Sequence, residues 1–154
     1  MADRPVMALR TPLYLILAAI GVLIFLATFL PWATVASEGS DISVAGVDAG
    51  GWGAAALVAG LGIAAVSLIG YVWNPFSDPE ALFIAGFGVA TLIAAIAKLG
   101  DVASFVDPAD DFTPDAQVGV GLWLILLASI VAIAGSAWIV VSRPSAERRL
   151  GDDE

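Results

Sequence analysis

Residues 118–141 read VGVGLWLILLASIVAIAGSAWIVV, a run without a single charge. At 1.5 Å per residue, a helix of that length exceeds the roughly 30 Å hydrocarbon core of a bilayer. Three other stretches have the same character: 13–32 (LYLILAAIGVLIFLATFLPW), 52–73 (WGAAALVAGLGIAAVSLIGYVW) and 81–99 (ALFIAGFGVATLIAAIAKL). None alternates apolar and polar residues with period two, the mark of a membrane barrel strand. In lipid a helix satisfies its own backbone groups, which settles the secondary structure. The sequence therefore predicts an all-α fold: a four-helix transmembrane bundle forming one membrane domain over 1–154, with 143–154 as a short polar tail.

Composition agrees. The chain has 154 residues, of which 60% are hydrophobic and 14% charged. Ordinary soluble domains are roughly 45–50% apolar and about a quarter charged. A soluble enzyme domain and a disordered tail are excluded. With no Cys and no His, disulfides, thiol chemistry and imidazole metal sites are excluded too. Fifteen acidic residues face six basic ones, for a net charge of −9. The basic footprint of a nucleic-acid binder is missing. Lys98 is the single lysine, and Ala and Gly abound. That bias suggests a GC-rich prokaryote, so a multi-pass protein of the prokaryotic plasma membrane is expected.

The arginines orient the bundle. Arg4 and Arg10 precede the first apolar stretch, and Arg143, Arg148 and Arg149 follow the fourth. The connection 33–51 has no basic residue. The positive-inside rule then places both termini in the cytoplasm, loops 1 and 3 outside, and the turn 74–80 (NPFSDPE) inside. Four spans are consistent with that. The first stretch is longer than the ~7–15 residues of a signal-peptide core, so it is read as a retained span. Tyr14, Trp73 and Trp138 fall at the inner interface by this map, and Trp32, Trp52 and Trp123 at the outer one, where aromatic rings anchor in the headgroups. Gly50-Gly51-Trp52 and Gly121-Leu122-Trp123 open the second and fourth helices alike, a faint parallel repeat.

Small residues spaced by four predict the packing faces. They are Ala56, Gly60 and Ala64 in the second helix, Gly86, Ala90 and Ala94 in the third, and Ala128, Ala132 and Ser136 in the fourth. Such rows let backbones approach closely in lipid. The first helix is bulkier, and its surfaces are expected to face lipid or a partner.

The chemistry-bearing residues are few. Between the predicted interfaces there is no Asp, Glu, His or Arg, which argues against a proton-coupled pump. No nucleophile triad, zinc motif or phosphate loop occurs. The chain is read as not an enzyme, with no cofactor and no metal. Lys98, at the outer end of the third helix, can snorkel to the headgroups and pair with Asp101 one turn on. Loop 3 (GDVASFVDPADDFTPDAQ) adds Asp107, Asp110, Asp111 and Asp115. Carboxylates at that density suit a hard cation, but the calcium-loop spacing is absent. Lys98, Asp101, Asp107, Asp110 and Asp111 are thus candidates for contact with a partner or a lipid headgroup. With Glu38, Asp41 and Asp48 in loop 1, most of the acidity lies outside, which favours a cationic partner face.

Leu30-Pro31-Trp32-Ala33, closing the first helix, and Val118-Gly119-Val120-Gly121-Leu122-Trp123-Leu124, opening the fourth, resemble small four-span membrane proteins of actinobacteria and halophilic archaea. The likeness covers most of the chain. It implies a role like that of the accessory subunits of envelope complexes found among such proteins, and carries over no functional residue. Claudin-like proteins also have a Gly-Leu-Trp, but in another place and with loop cysteines that are missing here. The expected function is a non-catalytic accessory or scaffold subunit of a larger membrane complex, with lipid or solute handling as the open option for that complex. A small self-associating transporter or channel, and a membrane-embedded sensor, stay open. The expected partners are the lipid bilayer and a membrane protein or further copies of the chain.

Overall fold

The computed structural model describes residues 4–37, 40–73, 78–100 and 116–141. Four helices follow the apolar stretches: α1 (Arg4–Ala27), α2 (Gly51–Trp73), α3 (Asp78–Gly100) and α4 (Val120–Val141). They pack as a bundle in which α1 touches α2 and α4, and α3 touches α2 and α4. α2, α3 and α4 are each long and apolar enough to cross a membrane. α1 has 24 residues, with its described apolar part over Pro12–Ala27. The protein is an all-α, four-helix membrane protein.

Three short strands were not foreseen: β1 (Pro31–Ser37), β2 (Ser40–Ala45) and β3 (Ala116–Val118). They form an antiparallel sheet in the order β2-β1-β3. Backbone outside a helix still needs partners for its N–H and C=O groups, and a hairpin supplies them. Ser37 pairs with Ser40, leaving Glu38-Gly39 as a two-residue connection. An x-Gly pair between Thr-Val-Ala and Ile-Ser-Val is a hairpin signal that the loop reading passed over.

α1 therefore ends at Ala27, not at Trp32. The amides of Thr28, Phe29 and Leu30 turn back to the carbonyls of Phe25, Leu26 and Ala27 at 3.3, 3.0 and 3.3 Å. Thr28 also donates its hydroxyl to Phe25 O at 2.6 Å. Pro31 has no N–H and disfavours helix at Leu30, so the chain leaves as a strand. Val47 N, in the 3-10 turn Gly46–Asp48, donates to Thr28 O at 2.8 Å, so the hairpin's far end docks on the end of α1. Gly50, at φ 68°, makes the left-handed turn into α2, where Ala54 N returns to Gly50 O at 3.2 Å.

The closest helix approach is between α1 and α2. A Cβ on Gly60 would stand 2.7 Å from Phe25 N and 2.9 Å from Gly21 O. A Cβ on Gly21 would meet Gly60 O at 2.7 Å and the Ala64 backbone. The row Ala56, Gly60, Ala64 is thus buried as expected, and so is Ala128, Ala132, Ser136. Two expectations are corrected. α1 keeps bulky exposed residues such as Ile16 and Leu26, yet its other face forms the tightest contact, because Gly21 was not weighed. In α3, Gly86 and Ala90 are exposed, and Gly86 has nothing within 4 Å of an added Cβ. Ala94, the third member of that row, is buried, and the buried face of α3 runs through Ala81, Ile84, Gly88, Thr91, Ala94 and Ala95.

Across α3 and α4, Ser129 donates to Thr91 Oγ1 at 2.8 Å while Thr91 bonds back to Gly88 O at 2.9 Å. Two buried hydroxyls are thus joined across the helix pair, as polar groups in membrane bundles are.

Candidate functional site

The end of the bundle where α1 stops and α2 and α4 begin is capped by the sheet, and Trp32 holds the cap in place. Along β1, Pro31 pairs with Ala45 and Ala33 with Val44, so the register slips at Trp32. Such an extra residue bends the strand and re-aims its side chain. Trp32 turns into the core, is 0% exposed, and donates Nε1–H to Ala27 O at 3.2 Å. Gly46 lies against the indole so closely that any Cβ would overlap it. On the other flank Gly119 N donates to Trp32 O at 2.8 Å, tying β3 and the start of α4 to β1. The expectation that Trp32 is an interface anchor is thus corrected. It is a plug, because the helix stops before it.

Tyr14 is corrected likewise: it is buried in the α1 face of the core rather than exposed at the inner boundary. Trp52, Trp123 and Trp138 are all exposed, as anchors require. The side chain of Trp73 lies outside the described residues.

Among the described residues β1 is paired on both sides and β2 forms an edge of the sheet. Ile42 on it is 57% exposed, and Val47 and Trp52 are exposed nearby in sequence. An open strand edge with exposed apolar side chains is a template for another chain. Asp48 is exposed beside it, and Glu38 and Asp41 belong to the same hairpin. No basic residue occurs between Arg10 and Lys98.

Lys98 sits half-buried in the last turn of α3, where a cation suits the helix C-terminus, and it has a partner. Asp101, Asp107, Asp110, Asp111 and Asp115 lie outside the described residues. Among the described residues no group of three His, Cys, Asp or Glu converges.

A second feature lies at the opposite end of the bundle, where α3 begins. Glu80 lies within α3 and inside its membrane-length apolar stretch, Pro79–Gly100, not in the preceding turn. Asp78-Pro79 is a helix-start signature, since proline suits the first turn and an acid favours it. That signal places Glu80 in the helix. Its Oε2 is buried. Glu80 thus belongs to the first turn of α3 rather than to the connection before it.

Compared with known proteins, the chain matches no family model and no curated protein.

Proposed function

We propose that this chain is a non-catalytic accessory or scaffold subunit of a larger membrane complex in a prokaryotic plasma membrane, with both termini in the cytoplasm and the sheet outside. The observation that carries the reading is the filled interior. Leu17, Ile24, Ile63, Ile84, Leu122 and Ile125 are all fully buried in one cluster with Trp32. A core packed with large aliphatic side chains serves rigidity rather than passage. The cap supports the same role, because its edge strand and exposed Ile42 stand on a braced platform. The acidity of the hairpin and of loop 3 favours a partner with a basic face.

Purification in mild detergent tests the reading. A larger membrane protein is expected at fixed stoichiometry, identified by mass spectrometry, and lost when Ile42→Arg alters the exposed edge. A pure homo-oligomer that conducts ions in liposomes would sink the reading and favour the second one, a small self-associating transporter or channel, which Glu80 supports as a carboxylate within an apolar span. The orientation has its own test. Cysteines introduced at Ser40 and Ser77 should differ, with only the first labelled from outside by an impermeant reagent. Labelling of Ser77→Cys instead would reverse the topology.

A further inference from the structure

The pairing of β1 fixes which way the main chain of β2 turns. In an antiparallel ladder, successive residues of a strand direct their N–H and C=O groups to opposite sides. Trp32 O accepts from Gly119 N at 2.8 Å, so the even-numbered residues of β1 turn toward β3. Thr34, opposite Gln117, belongs to the same series. Ala33, Val35 and Ser37 therefore turn toward β2, where they stand opposite Val44, Ile42 and Ser40. Between these, Asp41 and Ser43 direct their N–H and C=O groups to the other side of β2, which is the edge of the sheet among the described residues. Exposure agrees with that direction. Ile42 is 57% exposed and Ser43 is exposed too, although neighbours in a strand lie on opposite faces. The middle of β2 is thus accessible from both faces. Strand edges are commonly guarded by lysine, proline or a bulge. β2 reads Ser-Asp-Ile-Ser-Val-Ala, without lysine or proline, and the irregular register falls on β1 between Pro31 and Ala33. The single charge of β2 is Asp41, and the connection 33–51 adds Glu38 and Asp48 with no basic residue. Like charges set opposite each other in a ladder destabilise it, and opposite charges stabilise it. Such an edge disfavours an acidic strand, including its own copy, and favours a basic one.

We propose that β2 takes up an extended segment of a partner protein, bearing lysine or arginine, as a further strand bonded to the outward main-chain groups of Asp41 and Ser43. In strand addition the main-chain bonds supply affinity and the side chains along the added strand supply selection. A basic residue opposite Asp41 and an apolar one opposite Ile42 complete the match. The proposal rests on the accessory reading and names the kind of segment by which the partner is held.

Ser43→Pro isolates the main chain. Proline is tolerated on an edge strand where the missing N–H faces away from the neighbouring strand, so the variant should keep the wild-type thermal midpoint and lose only an outward donor. The probe is a fluorescent peptide of alternating lysine and valine, about nine residues long to match a strand. It is titrated by anisotropy against the full chain in non-ionic detergent at about 150 mM salt, where distant charges are screened. The expected result is saturable binding to the wild type, weakened about tenfold or more by Ser43→Pro and by Asp41→Asn. The same peptide N-methylated at alternate residues keeps its charge and should not bind, which decides the matter should Ser43→Pro fail to fold. No binding to the wild type would overturn the proposal, as would equal binding of the N-methylated peptide, which would leave charge attraction alone. A wild-type dimer in detergent that Ser43→Pro dissolves would give the edge to a second copy and overturn it as well. The accessory reading fails separately. Peptide binding with no co-purifying membrane protein would sink that reading and leave the strand addition standing, whereas a co-purifying partner retained by Ser43→Pro would do the reverse.

Discussion

Trp32→Ala should destabilise the folded protein by about 3–5 kcal/mol, the range for deleting a large buried aromatic side chain. The size of the effect follows from the position. The indole is fully buried, it donates to Ala27 O at 3.2 Å, and it faces Gly46 with no room to spare. Removing it opens a cavity between the end of α1 and the hairpin, and leaves the Ala27 carbonyl without its donor. The walls of that cavity cannot simply close. Val47 N holds the 3-10 turn to Thr28 O, and Gly119 N holds β3 to Trp32 O, so both flanks are pinned by backbone bonds. Reversible unfolding in mixed micelles, read by helical circular dichroism, measures the loss. Trp32→Phe should fall between the two, because it keeps much of the volume but not the N–H. A wild-type midpoint for Trp32→Ala would mean that the cap does not brace the bundle.

The helices were legible because lipid leaves the backbone few choices. Uncharged runs of bilayer length must be helical, and α2, α3 and α4 lie where hydropathy places them. The cap was less legible for a physical reason. Hydropathy separates apolar from polar, and the hairpin is made of residues that are neither strongly one nor the other. The pair Glu38-Gly39 carried the signal, and only turn chemistry reads it. Trp32 misled because tryptophan next to an apolar stretch fits a headgroup anchor as readily as a plug. What separates the two is the helix end, set by Thr28 and Pro31. Glu80 precedes the apolar stretch that hydropathy begins at Ala81, although Asp78-Pro79 marks where α3 begins. The candidates of loop 3, Asp101, Asp107, Asp110 and Asp111, lie outside the described residues, so their role rests on charge alone.

Gly60→Ile and Gly86→Ile should separate sharply, although the sequence puts both glycines in rows of small residues. At Gly60 the first added carbon would meet Phe25 N at 2.7 Å and Gly21 O at 2.9 Å. Both obstacles are backbone atoms of α1, so no rotamer change relieves them. Either the helices move apart or the isoleucine is strained, and overpacking of this kind costs about 1–3 kcal/mol or more. In lipid the loss is felt fully, because helix association there depends on close packing rather than on the exclusion of water. Separation would also loosen the contacts around Ile24 and Ile63, which are fully buried on the same pair of helices. At Gly86 an added Cβ meets nothing within 4 Å, and the position is exposed. Its substitution should change stability by no more than about 0.5 kcal/mol, as surface changes usually do. Detergent stability of the two variants, measured side by side, decides the matter. Equal losses would mean that Gly86 faces a contact that a single chain does not make. A partner helix or a second copy on that side of α3 would then be the next surface to map.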